Sequence, residues 1–222
     1  MSRNSGWSIR LPMTLDSTAE IDGLVAAIAA RPQRWPTGSQ DGRWQAAVCV
    51  PLHYGSRGLE IWAIKRQDGM RHHAREIAFP GGKPDDGDRD LAHTALREME
   101  EELGIGSDQV RLLGALAAVP TATSRFTLNP FLALVSEHAV AHPHAGEVAA
   151  LIRMVVADFF AGRVPFRAVE LASGRRSPIF DFDVGSMYGA SAHVMEETLG
   201  AYADAHGLRF PEPALTNEIP WL

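Results

Sequence analysis

The sequence predicts an α/β fold in which helices cover a sheet. Residues 44–52 and 59–66 are rich in β-branched and aromatic residues, as is typical of strands, and a Gly-containing turn separates them. Residues 90–103 instead carry apolar side chains at helical spacing and end at a glycine. Because strand-like and helix-like segments follow one another along the chain, we expect one domain with a layered α/β architecture.

A helix is predicted ahead of this domain. Ser17 or Thr18 can cap it, and Pro32 lies just beyond its end. Only this helix and a Pro- and Gly-rich loop precede the first strand, so a separate N-terminal domain is not expected. We therefore divide the chain into an N-terminal helix and loop extension, residues 1–43, and a single domain, residues 44–222.

The elements that follow are assigned from local signals in the same way. Asp88 or Asp90 can cap the helix over 90–103, and Gly104 ends it. The remaining predictions are strands over 110–119, 127–135, 164–171 and 177–182, a short helix over 156–162 and a long helix over 186–206. The second of these strands contains Pro130, which has no backbone N–H to donate, so we expect it at a sheet edge or at a bulge.

The composition is ordinary for a globular protein and argues against two classes of partner. Hydrophobic residues make up 45% and charged residues 22% of the 222 residues. The net charge of −6 disfavours non-specific binding to nucleic acid or to an anionic membrane, which needs a basic surface. No apolar run approaches the roughly 20 residues that span a bilayer, and the N-terminus lacks the apolar core of a secretory signal. The single cysteine, Cys49, lies in an apolar strand and is expected to be a core thiol. One cysteine cannot form a disulfide framework, so we expect a cytoplasmic protein.

One face of the helix over 90–103 carries three carboxylates. Glu98, Glu101 and Glu102 have i, i+3, i+4 spacing and therefore lie together. Glu100 points to the opposite flank and is expected to be solvated. A divalent cation would relieve the mutual repulsion of the three, and oxygen-only ligands favour Mg²⁺ or Mn²⁺ over zinc. The alternative is that this charged run is only the outer face of an amphipathic helix.

Two features upstream of the helix favour a site for phosphates. Gly81 and Gly82 permit a positive φ and the close approach of a phosphate or metal ion, and the turn leads to a helix N-terminus that favours anions. Cationic residues precede the turn: Lys65, Arg66, Arg71, His72, His73 and Arg75. A polyphosphate substrate needs positive charge beside the carboxylates, although a solvated loop with scattered bases would look the same.

Residues 82–105 resemble the signature of the Nudix hydrolases, G-x5-E-x7-R-E-U-x-E-E-x-G-U, in which U is a bulky aliphatic residue. Its second half is matched by Arg97, Glu98, Met99, Glu101, Glu102, Gly104 and Ile105. In the first half, Asp88 stands in place of the glutamate, and eight residues instead of seven separate it from Arg97. The resemblance implies an α/β/α sandwich with a mixed sheet, to which this chain adds an N-terminal helix and a long C-terminal helix.

The resemblance also implies an activity and roles for particular residues. Nudix hydrolases split a nucleoside diphosphate linked to another moiety, so the three glutamates are expected to bind Mg²⁺ or Mn²⁺ and Arg97 to orient them. The proton of the attacking water would pass to Glu98 or to a glutamate later in the chain. Our candidate for that later group is Glu147, in the segment AHPHAGEVAAL, which could equally be an ordinary loop or helix-capping residue.

The segment before the glycine turn is similar to the extra signature of the coenzyme A pyrophosphatase branch, L-L-T-x-R-[SA]-x3-R-x3-G-x3-F-P-G-G. Arg66, Arg71 and residues 79–82 fall in register, whereas Gln67 replaces the small residue and Arg75 replaces the glycine. The resemblance implies that these arginines and glycines contact the substrate. The implied reaction converts coenzyme A or an acyl derivative into 3′,5′-ADP and a phosphopantetheine moiety.

Two other functions stay open. The same residues would suit a Nudix diphosphatase that acts on NADH, ADP-ribose or another nucleoside diphosphate derivative. A non-catalytic nucleotide-binding module of the same fold is the third, although loss of the metal-binding glutamates would be expected there and all are present. The expected partner is a small-molecule nucleotide, without nucleic acid or membrane. The C-terminal segment NEIPWL allows either a homodimer contact or a contact within the chain.

Overall fold

A mixed eight-stranded sheet and a second, four-stranded sheet form the framework of the computed structural model, which describes residues 17–31, 42–68, 75–122 and 124–220. The helices are α1 (Ser17–Ala30), α2 (Leu91–Leu103), α3 (Val156–Phe160) and α4 (Gly189–His206). The strands are β1 (Trp44–Gly55), β2 (Gly58–Arg66), β3 (Ile77–Ala78), β4 (Gly81–Gly82), β5 (Val110–Ala115), β6 (Val119–Pro120), β7 (Phe126–Val135), β8 (Val148–Val155), β9 (Phe166–Glu170), β10 (Arg176–Phe182), β11 (Gly185–Met187) and β12 (Ala214–Leu215). None of the helices in these ranges is long and apolar enough to cross a bilayer.

The larger sheet is built around β1. Its strand order is β3-β2-β1-β7-β5, with β4 paired to β1, β6 to β7 and β8 to β2. β1 and β7 run parallel from Trp44 and Phe126 onwards, whereas β1 and β2 form an antiparallel hairpin around a turn at residues 56–57. The sheet is therefore mixed, as the resemblance implied.

Pro130 lies in the interior of the larger sheet, so the prediction of an edge strand was wrong. β7 is flanked by β1 on one side and by β5 and β6 on the other. The Pro130 carbonyl accepts a hydrogen bond from the Leu116 N–H at 2.9 Å, in the interval between β5 and β6. The nitrogen and the carbonyl of a strand residue in an antiparallel pair face the same neighbouring strand. The Pro130 nitrogen, which has no hydrogen to donate, therefore faces the gap between β5 and β6, where the neighbouring strand is interrupted. The irregular register lies in β5, between Leu112 and Gly114.

Two hydrophobic cores lie on opposite faces of the larger sheet. In the one beneath α2, Ala95, Met99 and Leu103 pack against strand residues that include Cys49. The Cys49 Sγ lies 3.4 Å from the Met99 Sδ, and burial raises the pKa of this thiol to about 12. The prediction of a core thiol is confirmed.

The second core joins the N-terminal helix to the C-terminal part of the chain. α1 contributes Ile21 and α4 contributes Leu199, and both side chains are fully buried. At the end of α1, the Arg31 Nε donates a hydrogen bond to the Glu197 Oε1 at 2.9 Å. The described part of the predicted N-terminal extension therefore shares a core with the main domain, whereas residues 1–16 and 32–41 lie outside the description.

The C-terminal part also contains a small sheet that the sequence did not predict as a separate layer. Its strand order is β11-β10-β9-β12. The predicted strands over 164–171 and 177–182 correspond to β9 and β10. The long C-terminal helix begins at Gly189 instead of residue 186, because residues 185–187 pair with β10 as strand β11.

Candidate active site

The helix α2 is capped by Asp90, one of the two aspartates that the sequence offered, and ends at the predicted Gly104. The Asp90 carboxylate accepts a hydrogen bond from the His93 N–H at 2.8 Å, and Gly104 ends the helix with a φ of 67°. The apolar side of α2 packs against the larger sheet, which brings its acidic side next to β4. Glu100 is exposed, in agreement with its expected orientation.

Glu102 is the most buried of the three predicted ligands, with 1% of its surface exposed. Its Oε1 accepts a hydrogen bond from the Arg66 Nη1 at 3.0 Å, and its Oε2 accepts one from the Gly81 N–H at 3.1 Å. Burial raises the pKa of the Glu102 carboxyl to about 7. The charges of Glu98 and Glu147 raise this pKa further, whereas the two donors oppose the rise. Glu102 is thus held between a cation and a backbone amide, near other negative charges.

Both glycines of the turn lie in close contact with their surroundings. A Cβ added to Gly82 would lie 2.2 Å from the Glu98 Oε1, so a larger residue would displace that carboxylate. A Cβ added to Gly81 would lie 2.5 Å from the Ala47 carbonyl oxygen, because β4 pairs with β1 here. Neither glycine has a positive φ, which corrects that part of the expectation. The turn therefore brings the backbone at Gly82 directly against Glu98.

Arg97 links the loop before α2 to two of the carboxylates. Its Nη2 lies 3.0 Å from the Glu98 Oε1, and its Nη1 lies 2.9 Å from the Glu101 Oε2. Its Nε donates to the Asp88 Oδ1 at 3.1 Å, and its Nη2 donates to the Lys83 carbonyl at 3.0 Å. The bond from Arg97 holds the pKa of Asp88 well below its usual range, and Asp88 in turn raises the pKa of Arg97. Asp88 therefore anchors Arg97, although it is shorter than the glutamate of the signature.

Glu147 lies on the loop before β8, and its side chain is about half exposed. Burial is the main reason why the pKa values of Glu98 and Glu102 are raised, and the charge of Glu147 adds to both effects. The loop is bonded to the last turn of α2, because the His144 N–H donates to the Glu102 carbonyl at 2.9 Å. The structure thus brings Glu147 to the same side of α2 as Glu98 and Glu102.

Among the cationic residues expected to contact phosphate, Arg66 faces α2. It contacts Glu102 rather than standing free, and its side chain is mostly buried. The neighbouring Lys65 points to the opposite face of the sheet, where its Nζ donates to the Val184 carbonyl at 2.8 Å. The sequence grouped the two residues by charge, but the alternation of side chains along β2 separates them.

The other predicted substrate-binding arginines, Arg71 and Arg75, come between β2 and β3 in the sequence. Arg75 is exposed, and its Nε lies 3.1 Å from the Asp68 Oδ1. Its φ of 65° is in the left-handed region that favours glycine, which is the residue usual in the related signature. Arg71 lies outside the described residues, together with His72 and His73.

The carboxylates of α2 fit a hard divalent cation in their chemistry. Glu98, Glu101 and Glu102 offer oxygen ligands only, and they lie on one side of a single helix. In the part of the chain that the structure describes, no three Asp, Glu, His or Cys side chains are arranged to hold a metal ion together. The carboxylates are instead directed towards Arg66 and Arg97. Side-chain rotations would therefore be needed to bring their oxygens onto one ion.

Gln67 contacts the Glu147 loop and was not predicted as a site residue. Its backbone N–H donates to the Glu147 carbonyl and its side-chain amide donates to the Ala145 carbonyl, both at 2.9 Å. The sequence contained one signal for this residue, namely that Gln67 replaces the small residue of the related signature. That difference alone did not indicate a contact with the Glu147 loop.

The NUDIX domain family model matches residues 43–169 of this chain. A protein called uncharacterized Nudix hydrolase NudL, from Pectobacterium atrosepticum, is 37% identical over 117 residues, which are 53% of this chain and 60% of that protein. One of the same name from Cronobacter sakazakii is 35% identical over 148 residues, or 66% and 72% of the two chains. The chain thus spans less than two thirds of the first of these relatives. A solved structure of a Nudix hydrolase from M. smegmatis, RenU, is 20% identical with a TM-score of 0.44, over 52% of this chain and 73% of that one.

Proposed function

The chain belongs to the NUDIX family, and on that premise we propose that it is a metal-dependent hydrolase of the diphosphate bond of coenzyme A or its acyl derivatives. The observation that carries the proposal is the pairing of Glu102 with Arg66 and Gly81, beside Glu98 against Gly82. This arrangement brings a buried and a partly buried carboxylate, a guanidinium group and the backbone of the glycine turn together in one corner of the fold. Such a corner suits a polyphosphate with its counter-ion.

We assign Glu98, Glu101 and Glu102 as the ligands of Mg²⁺ or Mn²⁺. The bound cation would neutralise the charge that develops on the phosphoryl oxygens of the diphosphate. The task of the chain is then to orient these carboxylates. Arg97 does so for Glu98 and Glu101, since it contacts both from a position that Asp88 anchors.

Glu147 is the proton acceptor that we favour for the attacking water. It is about half exposed, so water can reach it, and its charge is felt by both Glu98 and Glu102. Glu98 is the alternative acceptor, but its carboxylate is already paired with Arg97 at 3.0 Å.

We favour coenzyme A over other nucleotides as the substrate because of the segment before the glycine turn. Arg66 and residues 79–82 are in register with the signature of the coenzyme A pyrophosphatase branch. The φ of 65° at Arg75 also matches the glycine of that signature in conformation, although the side chain differs. A Nudix diphosphatase that acts on NADH or ADP-ribose would share the carboxylate site and Gly82, but the rest of the coenzyme A signature would not be expected in it.

A substrate panel tests the assignment. Purified protein with Mg²⁺ or Mn²⁺ is incubated with coenzyme A, acetyl-coenzyme A, NADH and ADP-ribose, and the products are identified by mass spectrometry. We expect 3′,5′-ADP and a phosphopantetheine product from coenzyme A, and turnover by the Glu102→Gln variant that is slower by on the order of 100-fold or more. Intact coenzyme A beside cleaved NADH or ADP-ribose would replace the substrate assignment. Binding of these nucleotides without turnover of any would instead identify a non-catalytic module.

A further inference from the structure

Gln67 joins the end of β2 to the loop that carries Glu147. Its side-chain amide donates to the Ala145 carbonyl at 2.9 Å, and its backbone N–H donates to the Glu147 carbonyl at 2.9 Å. The residue just before it, Arg66, is bonded to Glu102. The last residue of β2 therefore contacts a predicted metal ligand, and the residue after it contacts the loop of the favoured proton acceptor.

The Glu147 loop is held at other points as well. The His144 carbonyl accepts from the N–H groups of Glu147 and Val148, at 3.0 and 2.9 Å, which closes a tight turn. The sheet register then shifts: Lys65 pairs with Ala150 but Arg66 pairs with Val148. One extra residue on β8 forms a bulge immediately after Glu147, and bulges of this kind redirect neighbouring side chains.

The backbone bonds of this loop do not depend on side-chain identity, but the bond from the Gln67 amide does. A small side chain at this position, as in the related signature, would have no amide to reach the Ala145 carbonyl. The half-exposed turn would then have one hydrogen bond fewer to the end of β2 and would sample more conformations.

We propose that Gln67 is a positioning residue that holds the turn at residues 144–147 so that the Glu147 carboxylate stays beside Glu98 and Glu102. The inference rests on the proposed function, because Glu147 is the proton acceptor assigned there. Gln67 acts only through the loop and has no role in binding the substrate. Its removal should therefore change the catalytic step more than substrate affinity.

A double-mutant cycle tests the kinetic side. Gln67→Ala, Glu147→Gln and the double variant are compared with Gln109→Ala, a half-buried glutamine outside this loop, using coenzyme A and Mg²⁺ or whichever nucleotide the panel shows to be cleaved. We expect Gln67→Ala to lower kcat about tenfold with KM within about twofold, as loss of one hydrogen bond allows. The double variant should be no slower than Glu147→Gln alone. Fully additive losses would show that Gln67 acts elsewhere and would overturn the proposal.

Hydrogen–deuterium exchange keeps the proposal testable without any activity. In Gln67→Ala, peptides that cover residues 142–148 should exchange about tenfold faster, while Gln109→Ala leaves them unchanged. If exchange becomes faster in Gln67→Ala but the protein cleaves no nucleotide, the hydrogen bond from Gln67 does hold the loop, and the proposed function is rejected. Unchanged exchange and an unchanged kcat in Gln67→Ala would reject the positioning role alone. Global unfolding is excluded by a matching melting temperature, and Gln67→Asn serves as a milder variant if the alanine protein fails to fold.

Discussion

Asp88 is bonded to Arg97 through both of its carboxylate oxygens: the Arg97 Nε lies 3.1 Å from Oδ1 and the Nη2 lies 3.2 Å from Oδ2. The side chain of Asp88 is 2% exposed, so water cannot easily replace these bonds. From this anchor, Arg97 reaches Glu98 and Glu101. Aspartate, which stands in place of the glutamate of the signature, therefore forms a buried ion pair with Arg97 in the loop before α2.

Loss of this anchor should reduce catalysis. In Asp88→Asn, Arg97 keeps a neutral partner, loses its orientation and no longer sets the position of Glu98 and Glu101. We expect kcat to fall by about tenfold or more, since small displacements of catalytic groups are costly. Asp86→Asn, an exposed aspartate of the same loop, is the control and should stay near the wild-type rate. Equal rates for both variants would show that Asp88 does not contribute to catalysis.

The side of α2 on which a glutamate lies should decide its importance. Glu102→Gln is expected to lower kcat on the order of 100-fold or more, because it withdraws a proposed metal ligand. Glu100→Gln, on the exposed flank, should leave kcat within about twofold. Titration with Mn²⁺ followed by calorimetry checks the same point without substrate, since only Glu102→Gln should weaken binding. Similar losses for the two variants would contradict the arrangement.

The glycines of the turn should fail in different ways when replaced by alanine. Gly81→Ala places a Cβ 2.5 Å from a backbone oxygen, so we expect a loss of about 1–3 kcal/mol in the free energy of unfolding. Gly82→Ala collides with the movable Glu98 carboxylate, so activity should fall with a smaller loss of stability. Gly87→Ala is the matched control, because nothing lies within 4 Å of its added Cβ. Urea denaturation and kcat measured on all three separate these effects.

Arg75 should be strained by its backbone conformation. Its φ of 65° is unfavourable for any residue with a Cβ, and its ion pair with Asp68 is exposed and weak. We expect Arg75→Gly to be more stable than Arg75→Ala by about 1 kcal/mol in urea denaturation. Because both variants lose the guanidinium, the comparison isolates the backbone. Equal stability of the two would show that the left-handed conformation carries no strain.

Stability should depend on pH through the pair in the small sheet. Arg167 donates to Asp181 from Nε at 2.6 Å and from Nη2 at 2.9 Å, which lowers the pKa of Asp181. A carboxyl whose folded pKa is lowered contributes stability above its unfolded pKa of about 3.9, and this contribution disappears as the pH falls through the folded value. Asp181→Asn should therefore cost about 1–2 kcal/mol at pH 7 and progressively less below pH 4. Thermal melts against Asp183→Asn, an exposed aspartate nearby, provide the measurement, and a constant difference across pH would refute the linkage.

The helix α2 could be predicted in detail because its signals are local. The end at Gly104 and the separation of Glu100 from Glu102 follow from spacing over a few residues, which also limits the cap to Asp88 or Asp90, and the structure shows Asp90. The interior position of Pro130 could not be predicted, since it depends on β5 and β6 pairing with successive parts of β7 and leaving a gap between them. The small sheet was missed for the same reason: β12 pairs with β9 across a long stretch of chain.

By itself, the sequence determined which carboxylates share one side of a helix and that a glycine turn precedes them, because helical periodicity and turn chemistry act over short distances. Only the tertiary structure decided which groups those carboxylates meet. Arg66 reaches Glu102 because β2 pairs with β1, the strand on which α2 packs, and Glu147 joins them because β8 pairs with β2 and the loop bonds to the end of α2. Such partnerships depend on strand register between segments far apart in the chain, and no local pattern encodes that register.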